Sequence, residues 1–261
     1  MVHGNPTWSY YYRNLISLLA ERYRVIAVDN MGCGLSDKPQ KYPYRLQTHI
    51  DNLSSLLNYL EIERNSLIVH DWGGAIGMGY AVSFPERIAK IVILNTAAFR
   101  SSRIPLRIRI CRWPLFGAML VRGCNGFAAP ASHMAVTKPL ERKVAMAYLS
   151  PYDSWKNRVA IHAFVRDIPL SSDHPSYETL VRIENGLAGL ADSLHPMLIL
   201  WGAKDFCFNR YFYQEWCHRF PDAEHHYFVH GGHYILDDCL DEISPILLNF
   251  FQRKTGDSTA S

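Results

Sequence analysis

An aspartate with the setting of a catalytic nucleophile stands where a short apolar run gives way to small residues. Residues 67–70 read as a buried strand, Asp71 follows, and residues 75–84 read as a helix. A residue at such a strand-to-helix turn is pushed out of the sheet. The small Gly73 permits the tight backbone, although Val69 stands where a glycine is usual. A carboxylate is ionised at neutral pH, so Asp71 would attack an electrophilic carbon without a base and form an ester. The competing interpretation is an aspartate that only caps the helix.

A histidine and a second carboxylate follow in the chain order that such a nucleophile needs. His233 comes just after the last predicted strand, and Asp205 comes after the strand before it. When a catalytic nucleophile lies at a strand-to-helix turn, the acid follows it along the chain and the histidine comes last. The histidine would act as a base towards water or the substrate, and the acid would orient it. His230 is the alternative histidine, and Asp237 and Asp238 are the alternative acids.

The elements that would hold these residues alternate between strands and helices. Short continuous apolar runs, typical of parallel strands covered on both faces, occur at residues 24–29, 67–70, 91–94 and 197–201. Apolar residues repeat at helical spacing within residues 15–19 and 46–60. A helix at residues 209–220, a strand at 225–230 and a helix at about 238–253 complete the pattern. The alternation predicts an α/β fold with a mostly parallel sheet.

The alternation is interrupted between residues 99 and 194. That stretch is richer in proline, glycine and aromatic residues, and its helical segments have no strands between them. We therefore predict an α/β core of residues 1–98 and 195–254, a helical cap inserted as residues 99–194, and a disordered tail at residues 255–261. A separate second domain is the alternative, but the alternation resumes afterwards, which favours an insertion.

Composition and charge restrict the class of protein further. A net charge of +3 is too small to indicate nucleic-acid binding, and no apolar run approaches the roughly 20 residues of a membrane-spanning helix. The six cysteines are scattered without a Cys-x-x-Cys pair, and the N-terminal residues lack an export signal. These features predict a reduced, cytoplasmic protein. Aromatic residues form 13% of the chain. Ordinary core packing accounts for most of them, and a pocket lined by the others would suit an apolar small molecule.

Several segments together resemble the haloalkane dehalogenases and their relatives among the α/β-hydrolases. The shared core motifs are residues 3–14, 29–39 and 70–74. Residues 94–99 and, in the cap, residues 151–155 and 167–170 are most similar to one branch, the cis-β-lactone decarboxylases of bacterial long-chain olefin biosynthesis. The resemblance covers nearly the whole chain, and the cap segments are its specific part.

The resemblance implies an α/β-hydrolase fold with a helical cap and a role for each site residue. It makes Asp71 the nucleophile, His233 the base and Asp205 its partner. Asn5 and Trp72 would bind the leaving group, which is halide in a dehalogenase and the opening lactone's carboxylate oxygen in a decarboxylase. The implied enzyme converts a long-chain cis-3,4-dialkyl β-lactone into a cis-alkene and CO2, with neither metal nor organic cofactor. The sequence allows Asp71 to attack either the ring carbon that bears the lactone oxygen or the lactone carbonyl carbon.

Three other functions are open from the sequence. The first alternative is hydrolysis of a carbon–halogen bond. The five site residues named above could carry out that reaction equally well. Epoxide hydrolases also place an aspartate before Trp-Gly-Gly, with Tyr148 and Tyr152 as candidate epoxide donors, although Asn5 stands where that family usually has an aromatic residue. The third is a non-catalytic remnant. This fold normally has further strands before the turn that here begins at His3, so we expect the first strands to be missing from the sheet.

The predicted cap also carries a basic surface. No acidic residue occurs between Glu86 and Glu141, whereas basic residues are frequent there and alternate with large apolar side chains within residues 106–116. A solvated cap face accounts for such a pattern. The alternative is a surface that contacts anionic membrane lipid or another enzyme of the olefin pathway.

Overall fold

A parallel sheet of four strands lies at the centre of the computed structural model, which describes residues 1–193 and 195–253. In spatial order the strands are β1 (Asn65–Asp71), β2 (Ile88–Thr96), β3 (Met197–Gly202) and β4 (Glu224–Phe228). Every neighbouring pair is parallel, with Ile91 of β2 opposite both Leu67 of β1 and Met197 of β3. Parallel pairing brings the carboxyl ends of all four strands to one edge of the sheet, and the predicted α/β fold is confirmed.

Helices precede the first of these strands, connect the strands and follow the last one. They are α1 (Arg13–Ala20), α2 (Leu46–Tyr59), α3 (Trp72–Ser83), α4 (Leu106–Cys111), α5 (Pro114–Ala118), α6 (Ala128–Met134), α7 (Arg142–Leu149), α8 (Val159–Arg166), α9 (Tyr177–Asp192), α10 (Arg210–Arg219), α11 (Ile235–Asp238) and α12 (Leu240–Gln252). A π-helical turn, Met119–Gly123, continues α5. None of the helices in the described ranges is long and apolar enough to cross a bilayer.

The apolar strands are covered on both faces, as their unbroken apolar sequences predict. Successive side chains of a strand point to opposite sides of the sheet. Val69, Ile93 and Ile199 join residues of α2, α3, α9 and α10 in one buried cluster, whereas Ile68 and Leu198 pack with α1 and α12 in another. This two-sided burial holds the carboxyl edge of the sheet rigid where the candidate site lies.

The prediction of a buried strand at residues 24–29 is wrong. Val28 forms an isolated bridge to Val2, which in turn bridges to Val69 of β1. The remaining backbone pairing is a bond from the N–H of Val28 to the carbonyl of Met1 at 3.2 Å, and one from the Met1 amino group to Ile26 at 2.7 Å. An apolar run becomes a strand only where a neighbour supplies a continuous ladder, and here the neighbour supplies one bridging residue.

The segment between β2 and β3 consists of helices and turns. Its own small core joins Ile108 of α4, Val121 of the π turn, and Ile161 and Val165 of α8. The last helix of the segment, α9, packs instead against α3 in the larger cluster beneath the sheet. The tail predicted at residues 255–261 lies outside the described residues.

Candidate active site

Asp71 ends β1 and turns the chain directly into α3. Its backbone has φ of 51° and ψ of −126°, a conformation rarely adopted by residues other than glycine. The hydroxyl of Thr96 on β2 donates to the Asp71 carbonyl oxygen and braces the turn. Gly73 is required beside it, because a Cβ atom there would lie 1.9 Å from the carbonyl oxygen of Val2. The predicted strand-to-helix elbow is therefore present, and it directs the carboxylate into a cavity.

A backbone amide fixes the Asp71 carboxylate. The N–H of Asn5 donates to Oδ1 at 2.5 Å, and the N–H of Trp72, the next residue in the chain, also lowers the pKa of the carboxyl group. Burial raises the pKa of Asp71 above its ordinary value, while His233 and the two amides oppose that rise. The second oxygen, Oδ2, faces Nε2 of His233 at 3.7 Å.

His233 lies between two carboxylates. Its Nδ1 donates to Oδ2 of Asp205 at 2.7 Å, because a carboxylate accepts only, and Nε2 is thereby directed at Asp71. Burial alone would lower the pKa of His233, but the Asp205 carboxylate and its hydrogen bond, together with Asp71, raise the pKa above the ordinary value. The site therefore favours the protonated imidazole.

Asp205 is held by the loop after β3 and by an asparagine on β2. Its Oδ1 accepts from the backbone N–H of Cys207 at 2.7 Å and of Phe208 at 3.1 Å. Its Oδ2 accepts from Nδ2 of Asn95 at 3.0 Å as well as from His233. Asn95 also bonds both backbone groups of Gly202, so one amide joins β2 to β3 directly below the acid. Sequence reasoning missed this asparagine.

His70 is a second residue that sequence reasoning missed. It lies on the face of β1 opposite to Val69, and its Nε2 is 2.9 Å from the carbonyl oxygen of His233. Its ring packs between those of Tyr11, at 4.3 Å, and His233, at 4.5 Å. Burial lowers the pKa of His70 well below its ordinary value, so it stays neutral and donates this hydrogen bond. Its position beside Asp71 in the sequence was the available signal.

The side chains of Asn5 and Trp72 line the same cavity as Asp71. Nδ2 of Asn5 donates to the carbonyl of Ile161 at 3.1 Å, which uses one of the two hydrogens of that amide. The Trp72 indole packs on Phe164, with ring centroids 5.2 Å apart, and its N–H bonds to none of the described residues. Both groups thus present N–H donors near the carboxylate.

The cavity in front of Asp71 is about 520 Å³ in volume and mostly apolar. It is lined from the core by Phe208, Phe212 and His233, and from the segment between β2 and β3 by side chains that include Ile104, Ile108, Leu120, Phe127, Val165 and Ile168. An apolar site with a few N–H donors at one end suits a hydrophobic ligand with a small polar head.

The alternative histidine and acids lie apart from this arrangement. His230 is half-buried and bonds Oε1 of Glu242 at 2.7 Å. Asp237 pairs with Arg13 at 2.5 Å, and Asp238 accepts the backbone N–H of Gly232 at 2.7 Å. These contacts anchor the loop that carries His233. Within the described ranges, His230, Cys239 and Glu242 are the group that could hold a metal ion, and they do not line the cavity.

The two tyrosines considered as epoxide donors do not face the cavity. The Tyr148 hydroxyl donates to Asp237 at 2.6 Å, and the Tyr152 hydroxyl donates to the carbonyl of Thr7 at 3.1 Å. Neither side chain lines the space in front of Asp71. The assignment of Tyr148 and Tyr152 to epoxide activation is wrong, because both hydroxyls are committed to structural hydrogen bonds.

The fold and the elbow define an α/β-hydrolase. A family model for the alpha/beta hydrolase fold matches residues 1–121. The crystal structure of a haloalkane dehalogenase from Bradyrhizobium elkani is similar with a TM-score of 0.86, at 24% identity, over 95% of this chain and 87% of that one.

Curated relatives narrow the class to a family. A cis-3-alkyl-4-alkyloxetan-2-one decarboxylase of Shewanella oneidensis is 45% identical over 96% of this chain and 80% of its own length. A protein of the same name from Xanthomonas campestris pv. campestris is 39% identical over 97% of this chain and 87% of its own length. The chain belongs to the family of these decarboxylases, within the α/β-hydrolases.

Proposed function

We propose that this protein is an enzyme that converts a long-chain cis-3,4-dialkyl β-lactone into a cis-alkene and CO2. The observation that carries the proposal is the Asp71 carboxylate, held by the backbone amide of Asn5 and paired with His233, at one end of an apolar cavity. The strained four-membered ring supplies the electrophile, and the cavity accommodates the alkyl chains. The family to which the chain belongs supports this choice of substrate.

The reaction proceeds in two steps that return Asp71 to its starting state. An oxygen of Asp71 attacks the ring carbon that bears the lactone oxygen; the bond between that carbon and oxygen breaks, which leaves an aspartyl ester and a free carboxylate. The carboxylate then leaves as CO2, the electrons of the broken carbon–carbon bond form the double bond, and the ester oxygen departs as the Asp71 carboxylate. Inversion in the first step followed by anti elimination in the second gives the cis-alkene. No water or proton is consumed.

The N–H donors are arranged for the charges that develop in these steps. Asn5 and Trp72 face the carboxylate of the opening lactone with side-chain N–H groups, as in an oxyanion hole. In the second step negative charge returns to Asp71, and protonated His233, 3.7 Å away, stabilises it. His233 therefore serves this reaction as a cation and hydrogen-bond donor, which its raised pKa favours.

Hydrolysis of a haloalkane is the second candidate, because the same residues could displace halide from an alkyl carbon. Its second half differs, since the aspartyl ester must be hydrolysed and His233 must be neutral to activate water. The two reactions thus require opposite protonation states of one histidine. The curated relatives, both named decarboxylases, support the first candidate over the second.

The test is a direct comparison of the two substrates with the purified protein. One incubation contains a long-chain cis-3,4-dialkyl β-lactone and is analysed for alkene by gas chromatography; a parallel one contains a terminal haloalkane and is analysed for halide. We expect cis-alkene from the first and no halide above background from the second. Halide without alkene would replace the proposed function with hydrolysis, and neither product from folded protein would support a non-catalytic remnant.

We also propose that the protein works in the cytoplasm. Its six cysteines are all unpaired, and the buried thiols of Cys33, Cys111 and Cys239 form no disulfides. Free thiols persist in a reducing compartment. Non-reducing and reducing mass measurements of protein isolated from the producing cell check this, since a disulfide would contradict it.

A further inference from the structure

The first part of the cap exposes large apolar side chains on one contiguous stretch, residues 103–119, which we call the cap face. Five of its side chains are between 54% and 85% exposed: Leu106, Trp113, Leu115, Phe116 and Met119. Single exposed apolar residues are common on soluble proteins, but a cluster of this density marks an interaction site. Trp113 and Phe116 also pack on each other, with ring centroids 6.1 Å apart, so they protrude together.

The cap face is basic as well as apolar. Arg103, Arg107 and Arg109 are exposed, and no salt bridge joins any of them to a described residue. Arg103 and Arg107 lie over the rings of Tyr211 and Phe206, at 4.4 Å and 4.8 Å, which holds their guanidinium groups at the surface. The positive charge of this face is therefore available to an anionic partner.

The cap face adjoins the cavity that contains Asp71. Arg103, Ile104, Arg107 and Ile108 belong both to this stretch and to the lining of the cavity. The helix α4 thus has one side towards the cavity and exposes Leu106 on another. A hydrophobic ligand that reached the cap face would have a short path to the carboxylate.

We propose that the cap face docks on the surface of an anionic lipid bilayer. The apolar side chains of α5 and the π turn enter the boundary between headgroups and acyl chains, and the arginines contact the anionic headgroups. A bilayer is the occupant that the observations favour, because protruding side chains of this kind need no complementary pocket and the unpaired positive charge matches the negative inner leaflet. Docking places the cavity beside the membrane, where a water-insoluble long-chain substrate accumulates; this last step rests on the proposed function, whereas docking itself does not.

The first test is co-sedimentation of the whole protein with vesicles. One set contains phosphatidylcholine alone and the other contains equal parts of phosphatidylcholine and phosphatidylglycerol. We expect binding to the anionic set, little binding to the neutral set, and release from the anionic set as salt is raised. Failure to bind anionic vesicles, or binding that is indifferent to both lipid charge and salt, would overturn the proposal and leave the surface for a protein partner.

Two variants separate the surface from the fold. Leu115→Ser with Phe116→Ser should lower binding to anionic vesicles by on the order of tenfold, and Arg109→Glu should do the same through charge. Tyr59→Ser is the matched control, because Tyr59 is 84% exposed at the far end of α2, next to the start of β1. Equal binding by the double variant and the control, with unchanged thermal transitions, would contradict the proposal.

Activity assays distinguish failure of docking from failure of the proposed function. The double variant should form alkene from a short-chain, water-soluble β-lactone at the parent rate, since neither side chain lines the cavity. From a long-chain lactone carried in anionic vesicles its rate should fall in proportion to the lost binding. If the protein binds vesicles in a salt-sensitive way but forms alkene from neither lactone, docking is supported and the proposed function is refuted. If the parent and the double variant form alkene from the vesicles at equal rates, delivery of substrate by docking is refuted.

Discussion

At the scale of single residues, the charges on Asp71 and His233 determine when the site can react. Asp71 must be a carboxylate to attack, and burial raises its pKa above the ordinary value of 3.8, so activity should fall as the pH drops through that raised pKa. His233 should be protonated for the elimination, and its pKa is raised above 6.5. On the alkaline side, the rate of alkene formation should therefore decline only at a pH above 6.5, where His233 loses its proton.

This pH dependence is measured as the rate of alkene formation from a β-lactone at saturating concentration. A bell-shaped profile with an alkaline decline is the expected result. A rate that instead rises with pH through the neutral range would show that neutral His233 is the active form, as hydrolysis requires, and would contradict its role as a cation.

Some features of the site are visible in the sequence and others are not. Asp71, Asp205 and His233 each follow a predicted strand, so parallel pairing alone predicts that they meet at one edge. Asn95 also follows an apolar run, but its role, like that of His70, depends on hydrogen bonds to Asp205 and to the backbone of His233 across the sheet. Polar contacts between strands depend on register, which composition does not determine.

At the scale of elements, the elbow depends on close packing of α3 against the N-terminal segment. Replacing Gly73 with alanine places a Cβ atom 1.9 Å from the Val2 carbonyl oxygen, and backbone must move. We expect a loss of about 3 kcal/mol in the free energy of unfolding, together with loss of activity, because the displaced segment carries Asn5. Urea denaturation followed by circular dichroism measures the first effect.

Gly189→Ala is the matched control for that substitution. Gly189 lies within α9, and a Cβ atom there meets nothing within 4 Å. Alanine should raise the free energy of unfolding by about 0.5–1 kcal/mol, because it restricts the unfolded chain and favours the helix. If both variants had the same stability, close packing at the elbow would not be the cause of the loss.

The elements also show where apolar pattern is sufficient and where it fails. β1, β2 and β3 occur where unbroken apolar runs predict them, because neighbours cover both their faces and complete their ladders. Residues 24–29 have the same pattern, but their pairing is limited to the bridge at Val28 and the bond from the Met1 amino group to Ile26. The last predicted strand ends at Phe228, because the N–H of Gly231 turns back to the Phe228 carbonyl at 3.1 Å. Pairing partners, which local sequence does not contain, decide these cases.

At the scale of the whole molecule, one buried carboxylate joins the segment between β2 and β3 to the core. Asp167, just after α8, accepts from the backbone N–H of Leu46 at 2.8 Å and from Nη1 of Arg45 at 2.9 Å, and so caps α2 from outside that helix. Ser176 donates to the same carboxylate at 2.8 Å. Removal of the carboxylate leaves the buried Leu46 N–H without its charged acceptor.

We expect Asp167→Ala to lower the free energy of unfolding by about 2–4 kcal/mol. The helices between β2 and β3 should also become more sensitive to limited proteolysis than the sheet, because the lost contact lies between that segment and α2. Asp222→Ala is the control, since Asp222 is exposed on the turn before β4 and should leave the thermal transition unchanged. Equal transitions for the two variants would contradict the role of Asp167.

The measurement that tests the central claim most directly is the alkene formed from a long-chain cis-3,4-dialkyl β-lactone by the parent protein and by Asp71→Asn. Asparagine matches the size and shape of the aspartate that already adopts the positive φ at this position, so the elbow should persist without its nucleophile. Asp51→Asn, on the exposed face of α2, is the control. We predict cis-alkene from the parent and the control and a rate at least about 10³-fold lower from Asp71→Asn. Alkene from Asp71→Asn at the parent rate would contradict the assignment of Asp71 as the nucleophile.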